Sequence, residues 1–106
     1  MTRVTVNPGV CGMVCNIDIS KIDRQQVSLK IETKCDMIRE MCEQAATMKL
    51  RDVLKLPVES IVYEYASKCR IHAACPVPVA VIKAIEVEAG MALPRPVSIE
   101  FDSVTK

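Results

Sequence analysis

The residues of this chain best suited to chemistry are its cysteines, and three of the six lie where a charged sulfur is favoured. Cys11 lies in the turn-forming segment NPGVCG, whose glycines allow the backbone to approach a ligand closely. Cys35 and Cys75 lie at the predicted amino ends of two helices, where unpaired backbone N–H groups favour an anion. A thiolate is such an anion, and it is the form that binds metal or attacks an electrophile. Cys11, Cys35 and Cys75 are therefore the candidate site residues.

The other three cysteines occupy positions typical of a hydrophobic core. Cys15 lies on the apolar face of a predicted strand, and Cys42 and Cys69 lie on the apolar stripes of predicted helices. Free cysteine is often buried and packs as a small hydrophobe, so we expect these three to be core residues. The spacing of Cys11 and Cys15 leaves a local redox pair as an alternative.

Three converging thiolates would suit a soft metal ion or an iron–sulfur cluster, and zinc would require a fourth ligand for a closed site. His72 is the only histidine, and it precedes Cys75 by three residues. It could join Cys75 as a metal ligand if the segment is helical, or it could cap the end of the preceding helix. The predicted metal ligands are thus Cys11, Cys35, Cys75 and His72. The alternatives are zinc, or no cofactor at all.

Hydrophobic periodicity predicts the elements that position these residues. Alternation of apolar and polar residues predicts strands at 2–6, 13–20, 27–32 and 97–101, the second and third forming an antiparallel hairpin. Helical spacing predicts a helix capped by Thr33 and reaching about Met48, a helix over 57–71, and one from Pro76 to Gly90. A single helical turn is expected within 49–56. The order β-β-β-α-α-α-β predicts an α+β fold, with helices packed on one face of a small antiparallel sheet.

Composition limits the partners and the compartment. The 106 residues fit a single domain spanning 1–106, and half are apolar, so a substantial core is expected. A net charge of +1 and 3% aromatic residues argue against nucleic acid as a partner. No leader and no apolar stretch of roughly 20 residues is visible, so we predict a cytoplasmic protein that does not enter a membrane. Six cysteines in such a chain are not expected to form disulfides. A homo-oligomer is compatible with a chain this apolar.

Three segments of the sequence resemble a family of small uncharacterised proteins, a domain of unknown function found mainly in anaerobic bacteria and archaea. These are NPGVCG around Cys11, the segment around Cys35, and HAACPVP around Cys75, the last followed by KAIEVEAGMALP. The resemblance covers nearly the whole chain. It implies that Cys11, Cys35 and Cys75 belong to one site, and that the protein works at low oxygen, where iron–sulfur clusters survive.

The sequence supports three hypotheses about function. The first is an iron–sulfur or metal-binding protein acting in electron transfer, cluster carriage or sulfur chemistry, with a redox partner protein or a small sulfur-containing molecule. The second is a metal-free thiol redox enzyme, in which Cys75 or Cys11 is a nucleophile of low pKa and a second cysteine resolves it. The third is a structural or interaction module without a site.

Overall fold

A computed structural model describes residues 1–105 as a four-stranded antiparallel sheet covered by helices. In chain order the elements are β1 (Thr2–Val6), β2 (Cys15–Lys21), β3 (Gln26–Thr33), α1 (Asp36–Gln44), β4 (Thr47–Lys49), α2 (Leu50–Val53), a 3-10 turn (Pro57–Glu59), α3 (Ile61–Lys68) and α4 (Val77–Glu88). The strands lie in the order β1-β2-β3-β4. The predicted α+β class and the β2–β3 hairpin are confirmed.

The core lies between one face of the sheet and the helices. Ile17 and Ile19 of β2 and Val27 of β3 are fully buried on that face. The residues between them along the strands are polar and more exposed, because successive side chains of a strand point to opposite faces. Burying one such Ile or Val side chain contributes about 1.5–3 kcal/mol, so this face decides which side the helices cover. The prediction of helices on one face is therefore confirmed.

α4 crosses β1 and β2 and is the most buried helix. Val81, Ala84 and Ile85 are fully buried against the sheet. The helix ends where predicted: Gly90 has φ +76°, and Met91 N–H donates to the carbonyl of Glu86 at 2.8 Å. This is the pattern of a glycine-terminated helix, in which the glycine adopts a left-handed conformation that other residues rarely accept.

The helix predicted to reach Met48 ends instead at Gln44, and the chain returns to the sheet as β4. Val27 of β3 pairs with Met48, whose side chain is buried. Three residues are too few for alternation to be recognised in the sequence. The sequence pattern therefore predicts a helix at Met48, whereas pairing with Val27 places this residue in a strand.

The predicted strand over 97–101 is wrong. Residues 92–105 form no helix or strand, and all of them are exposed. An alternating pattern stabilises a strand only when a neighbouring strand and a covering layer are present, and within residues 1–105 this segment has neither.

None of the helices formed by residues 1–105 has the length and hydropathy needed to cross a bilayer.

Candidate functional site

Several chain segments that carry cysteines meet at one end of the sheet. Cys15, at the start of β2, pairs with Val6 at the end of β1 and with Thr33 at the end of β3. The loop 7–14, which carries Cys11, and the start of α1, which follows β3, therefore lie at the same end.

The orientation of α4 brings Cys75 to this end as well. The Glu88 carboxylate accepts hydrogen bonds from the Thr2 hydroxyl at 2.8 Å and the Lys21 backbone N–H at 3.1 Å, which fixes the carboxyl end of α4 at the opposite end of the sheet. A helix of 12 residues is about 18 Å long, similar to the roughly 17 Å of the five-residue strand β1. The amino end of α4, with Cys75 just before it, thus lies near Val6 and Cys15.

Cys15 is the central member of a four-thiol group formed with Cys11, Cys35 and Cys75. Burial raises the pKa of the Cys15 thiol, and negative charge on Cys35, Cys75 and Cys11 raises it further, while a hydrogen bond with Thr33 lowers it. Burial likewise raises the pKa of Cys75, and charge on Cys11 and Cys35 adds to that effect. Because charge–charge effects weaken with distance, these mutual effects agree with the strand register, which brings the segments carrying the four thiols to one end of the sheet.

Cys11 is the exposed member of the group. It lies in a tight turn in which Gly12 N–H donates to the Gly9 carbonyl at 2.9 Å. Gly9 and Gly12 have φ of +86° and +69°, a conformation that explains the glycines on both sides of this thiol. The predicted glycine turn around Cys11 is therefore confirmed.

Cys35 is buried at the amino end of α1, in a different position from the one predicted. Thr33 does not cap the helix; Cys35 itself is the N-cap residue, with an extended backbone and no capping hydrogen bond from its side chain. The Thr33 hydroxyl oxygen instead accepts the Cys35 N–H at 3.2 Å and lies 3.2 Å from Cys15 Sγ. Thr33 thus contacts the thiol of Cys15 and the backbone of Cys35.

Cys75 is half-buried immediately before Pro76, the N-cap residue of α4. Burial raises the pKa of its thiol, and a hydrogen bond from the Val77 backbone N–H lowers it by a smaller amount. The helix end therefore acts in the predicted direction, but desolvation of the charged form is the larger effect. Burial therefore opposes the low pKa predicted for Cys75, and its role as a nucleophile stays a prediction.

His72 is an exposed residue at the start of the turn that leads to Cys75. The Cys75 backbone N–H donates to the His72 carbonyl at 3.0 Å, so the two residues are related by a turn and not by a helix. Both line an open cavity of about 330 Å³, together with Tyr63, Ser67 and Pro78. Ligation by His72 stays a prediction.

Cys42 and Cys69 pack in the core, as the sequence predicts. Cys69 is buried at the end of α3, and Cys42 is half-buried against the other core residues. Burial raises the pKa of both thiols. Cys15 is also buried, but it lies among the other three thiols of the group. Its position on a strand did not predict this. The short spacing between Cys11 and Cys15 was the one signal in the sequence that linked them.

Within residues 1–105, no three His, Cys, Asp or Glu side chains are arranged closely enough to hold a metal ion as they stand. All six thiols are free. The four-thiol group is therefore a neighbourhood of sulfurs whose final geometry would depend on what they bind.

A protein-family model described as a family of unknown function (DUF6951) matches residues 2–101. Neither the curated proteins nor the solved structures contain a match to the chain.

Proposed function

Since the chain belongs to DUF6951, a family of unknown function, its activity has to be inferred from its own residues, and we propose that it binds a soft metal ion or an iron–sulfur cluster. The ligands in this proposal are Cys11, Cys35 and Cys75, with Cys15 as a fourth sulfur that the sequence did not suggest. Thiolate is the ligand that soft metals and iron–sulfur clusters prefer.

The observation that supports the proposal is that four separate segments, each carrying one thiol of the group, reach the same end of the sheet. Two helices, of 9 and 12 residues, begin at this end of the sheet. Their unpaired N–H groups stabilise the negative charge that bound thiolates would carry. Burial and the neighbouring cysteines raise the pKa of Cys15 and of Cys75, so these thiols are costly to ionise, and a cation beside them would reverse that cost.

The four sulfurs differ in exposure, and this suggests how such a group would be assembled. Cys15 and Cys35 are buried in place, whereas Cys11 is exposed on its glycine turn. We expect the turn carrying Cys11 to close over the bound group, since it is the exposed part of the site. Iron held by three cysteines would keep one position open for a small sulfur-containing molecule, and four cysteines would favour electron transfer to a redox partner protein.

We further propose that the protein acts in a reducing cytoplasm. Six free thiols, of which three are buried, are compatible with a compartment that keeps thiols reduced. A low-oxygen setting follows from the same proposal, because exposed clusters are sensitive to oxidation.

The test is metal and acid-labile sulfide analysis of protein purified without oxygen, together with its absorption spectrum. We expect stoichiometric iron with sulfide, or stoichiometric zinc. Replacing Cys35 or Cys75 by Ala should lower the metal content at least about tenfold, because each removes a ligand. Cys42→Ala is the matched control, since Cys42 is a half-buried thiol outside the group.

A colourless, metal-free anaerobic preparation that also fails to take up iron, sulfide or zinc would contradict the proposal. In that case the exposure of Cys11 favours the second candidate, a metal-free thiol redox enzyme with Cys11 as nucleophile and Cys15 as resolving thiol. Rapid alkylation of Cys11 near neutral pH would support it. If the triple replacement of Cys11, Cys35 and Cys75 changes neither stability nor partner binding, the protein is a structural module.

A further inference from the structure

The segment that follows α4 exposes apolar residues in the pattern of a strand. Val97, Ile99 and Phe101 alternate with polar residues, and their exposed fractions lie between 60 and 87%. An isolated large apolar residue on a surface is ordinary, but an alternating set of three on one side of an extended segment is typical of a strand that lacks its neighbour.

β1 is an edge strand of the sheet, and another strand could pair with its outer edge. Among residues 1–105, β1 pairs with β2 alone, so its other edge keeps unpaired N–H and C=O groups over five residues. Such an edge is a template for pairing with another strand. The opposite edge strand, β4, has three residues and offers less.

We propose that residues 97–101 of one chain add as a fifth strand to the free edge of β1 in a second copy, and that two copies exchange these strands to form a dimer. Backbone hydrogen bonds to an exposed sheet edge are an established mode of strand recognition, in which alternate side chains give specificity. Reciprocal exchange buries both segments and closes the assembly with two-fold symmetry.

The side chains of the two partners are complementary in this arrangement. The helix-facing side of β1 carries Val4 and Val6, and the added strand would continue it with Val97, Ile99 and Phe101. The solvent-facing side of β1 carries Arg3, which is 58% exposed and forms an ion pair with Asp18 of β2 at 3.1 Å. The same side of the added strand carries Glu100, whose carboxylate would lie near the Arg3 guanidinium. Asp102 lies on that side as well, two residues further along the chain.

A second copy is the partner that the chain itself supplies, because residues 97–101 are exposed and pair with no strand of the four-stranded sheet. After Gly90 the segment contains Pro94 and Pro96, and Arg95 N–H donates to the Leu93 carbonyl at 2.9 Å. Proline fixes the backbone and restricts the residue before it to extended conformations. Among residues 1–105 of one chain, neither residues 97–101 nor the outer edge of β1 has a partner strand.

The first experiment compares the mass of the reduced protein in solution with that of two variants. We expect the unmodified protein to be a dimer, and Ile99→Asp to raise the dissociation constant by about 100-fold or more, since an apolar contact is lost twice in each dimer. Val58→Asp is the matched control because Val58 is equally exposed but lies in the 3-10 turn. A monomeric unmodified protein, or equal effects of the two variants, would overturn the proposal.

A charge exchange then identifies the surfaces. Arg3→Glu places an acidic edge against an acidic strand, and the pair Glu100→Lys with Asp102→Lys places a basic strand against Arg3. Each protein alone should dimerise weakly, whereas their mixture should form a dimer in which both contacts unite opposite charges. Mixtures that stay monomeric, or variants that dimerise like the unmodified protein, would show that the strand binds elsewhere. If Ile99→Asp lowers only the stability of a monomer, the segment pairs with its own chain.

Discussion

The Thr33 hydroxyl contacts two cysteines of the proposed site, the thiol of one and the backbone of the other. Its oxygen accepts the Cys35 N–H and lies 3.2 Å from Cys15 Sγ. By donating to the charged form of the sulfur, the hydroxyl lowers the pKa of Cys15 against the larger effect of burial. Thr33 therefore influences the ease with which Cys15 ionises as well as the start of α1.

We expect Thr33→Val to raise the pKa of Cys15, because valine keeps the shape of threonine and removes the hydroxyl. The loss of an acceptor for the Cys35 N–H should also lower the free energy of unfolding by about 1 kcal/mol. The measurement is the thiolate absorbance of the reduced, metal-free protein as a function of pH. Thr47→Val, on the exposed side of β4, is the control. Identical titrations for the two variants would contradict the role of Thr33.

At the scale of elements, α4 is held to the sheet by a polar contact at the end remote from the thiols. Hydrogen bonds from the Thr2 hydroxyl and the Lys21 N–H stabilise the Glu88 carboxylate and lower its pKa. This contact sets the position of the helix along β1, and through it the position of Cys75 at the other end. The residue that anchors the helix and the residue that would bind the ligand are thus separate.

Replacing Glu88 by Gln tests this anchor. A carboxyl whose pKa is lower in the folded protein stabilises the fold above its unfolded pKa of about 4.3, and the contribution is lost as the pH falls through the folded pKa. We expect Glu88→Gln to cost about 1 kcal/mol near neutral pH and little in strong acid. Glu86→Gln is the control, since the side chain of Glu86 has no hydrogen-bond or ion-pair partner among residues 1–105, and its backbone carbonyl, which accepts the Met91 N–H, is unchanged. Denaturant unfolding at several pH values measures both, and a difference independent of pH would contradict the prediction.

At the scale of the whole molecule, burial favours the neutral form of four of the six thiols, a set that differs from the four-thiol group. Burial raises the pKa of Cys15, Cys42, Cys69 and Cys75, so two core thiols behave like two members of the four-thiol group. A group with a raised pKa stabilises the folded state below its unfolded pKa. That contribution is lost as the pH rises through the folded pKa.

The reduced, metal-free protein should therefore lose stability as the pH rises above about 8.5, the usual pKa of a cysteine. Denaturant unfolding at neutral and alkaline pH measures the loss. In protein loaded with metal the loss should be smaller, because Cys15 and Cys75 would already be thiolates. Equal losses with and without metal would indicate that these thiols are not ligands.

Local sequence patterns determined much of this protein. Alternation identified β1, β2 and β3, and the prolines and Gly90 marked the ends of α4, because backbone conformation and one-sided burial depend on neighbouring residues along the chain. Only the tertiary structure decided that the segment of Cys15 lies with those of the other thiols, that Thr33 contacts both Cys15 and Cys35, and that residues 97–101 pair with no strand of the sheet. These features depend on strand register, on the anchoring of α4 by Glu88 and on burial, which arise from contacts between residues far apart in sequence.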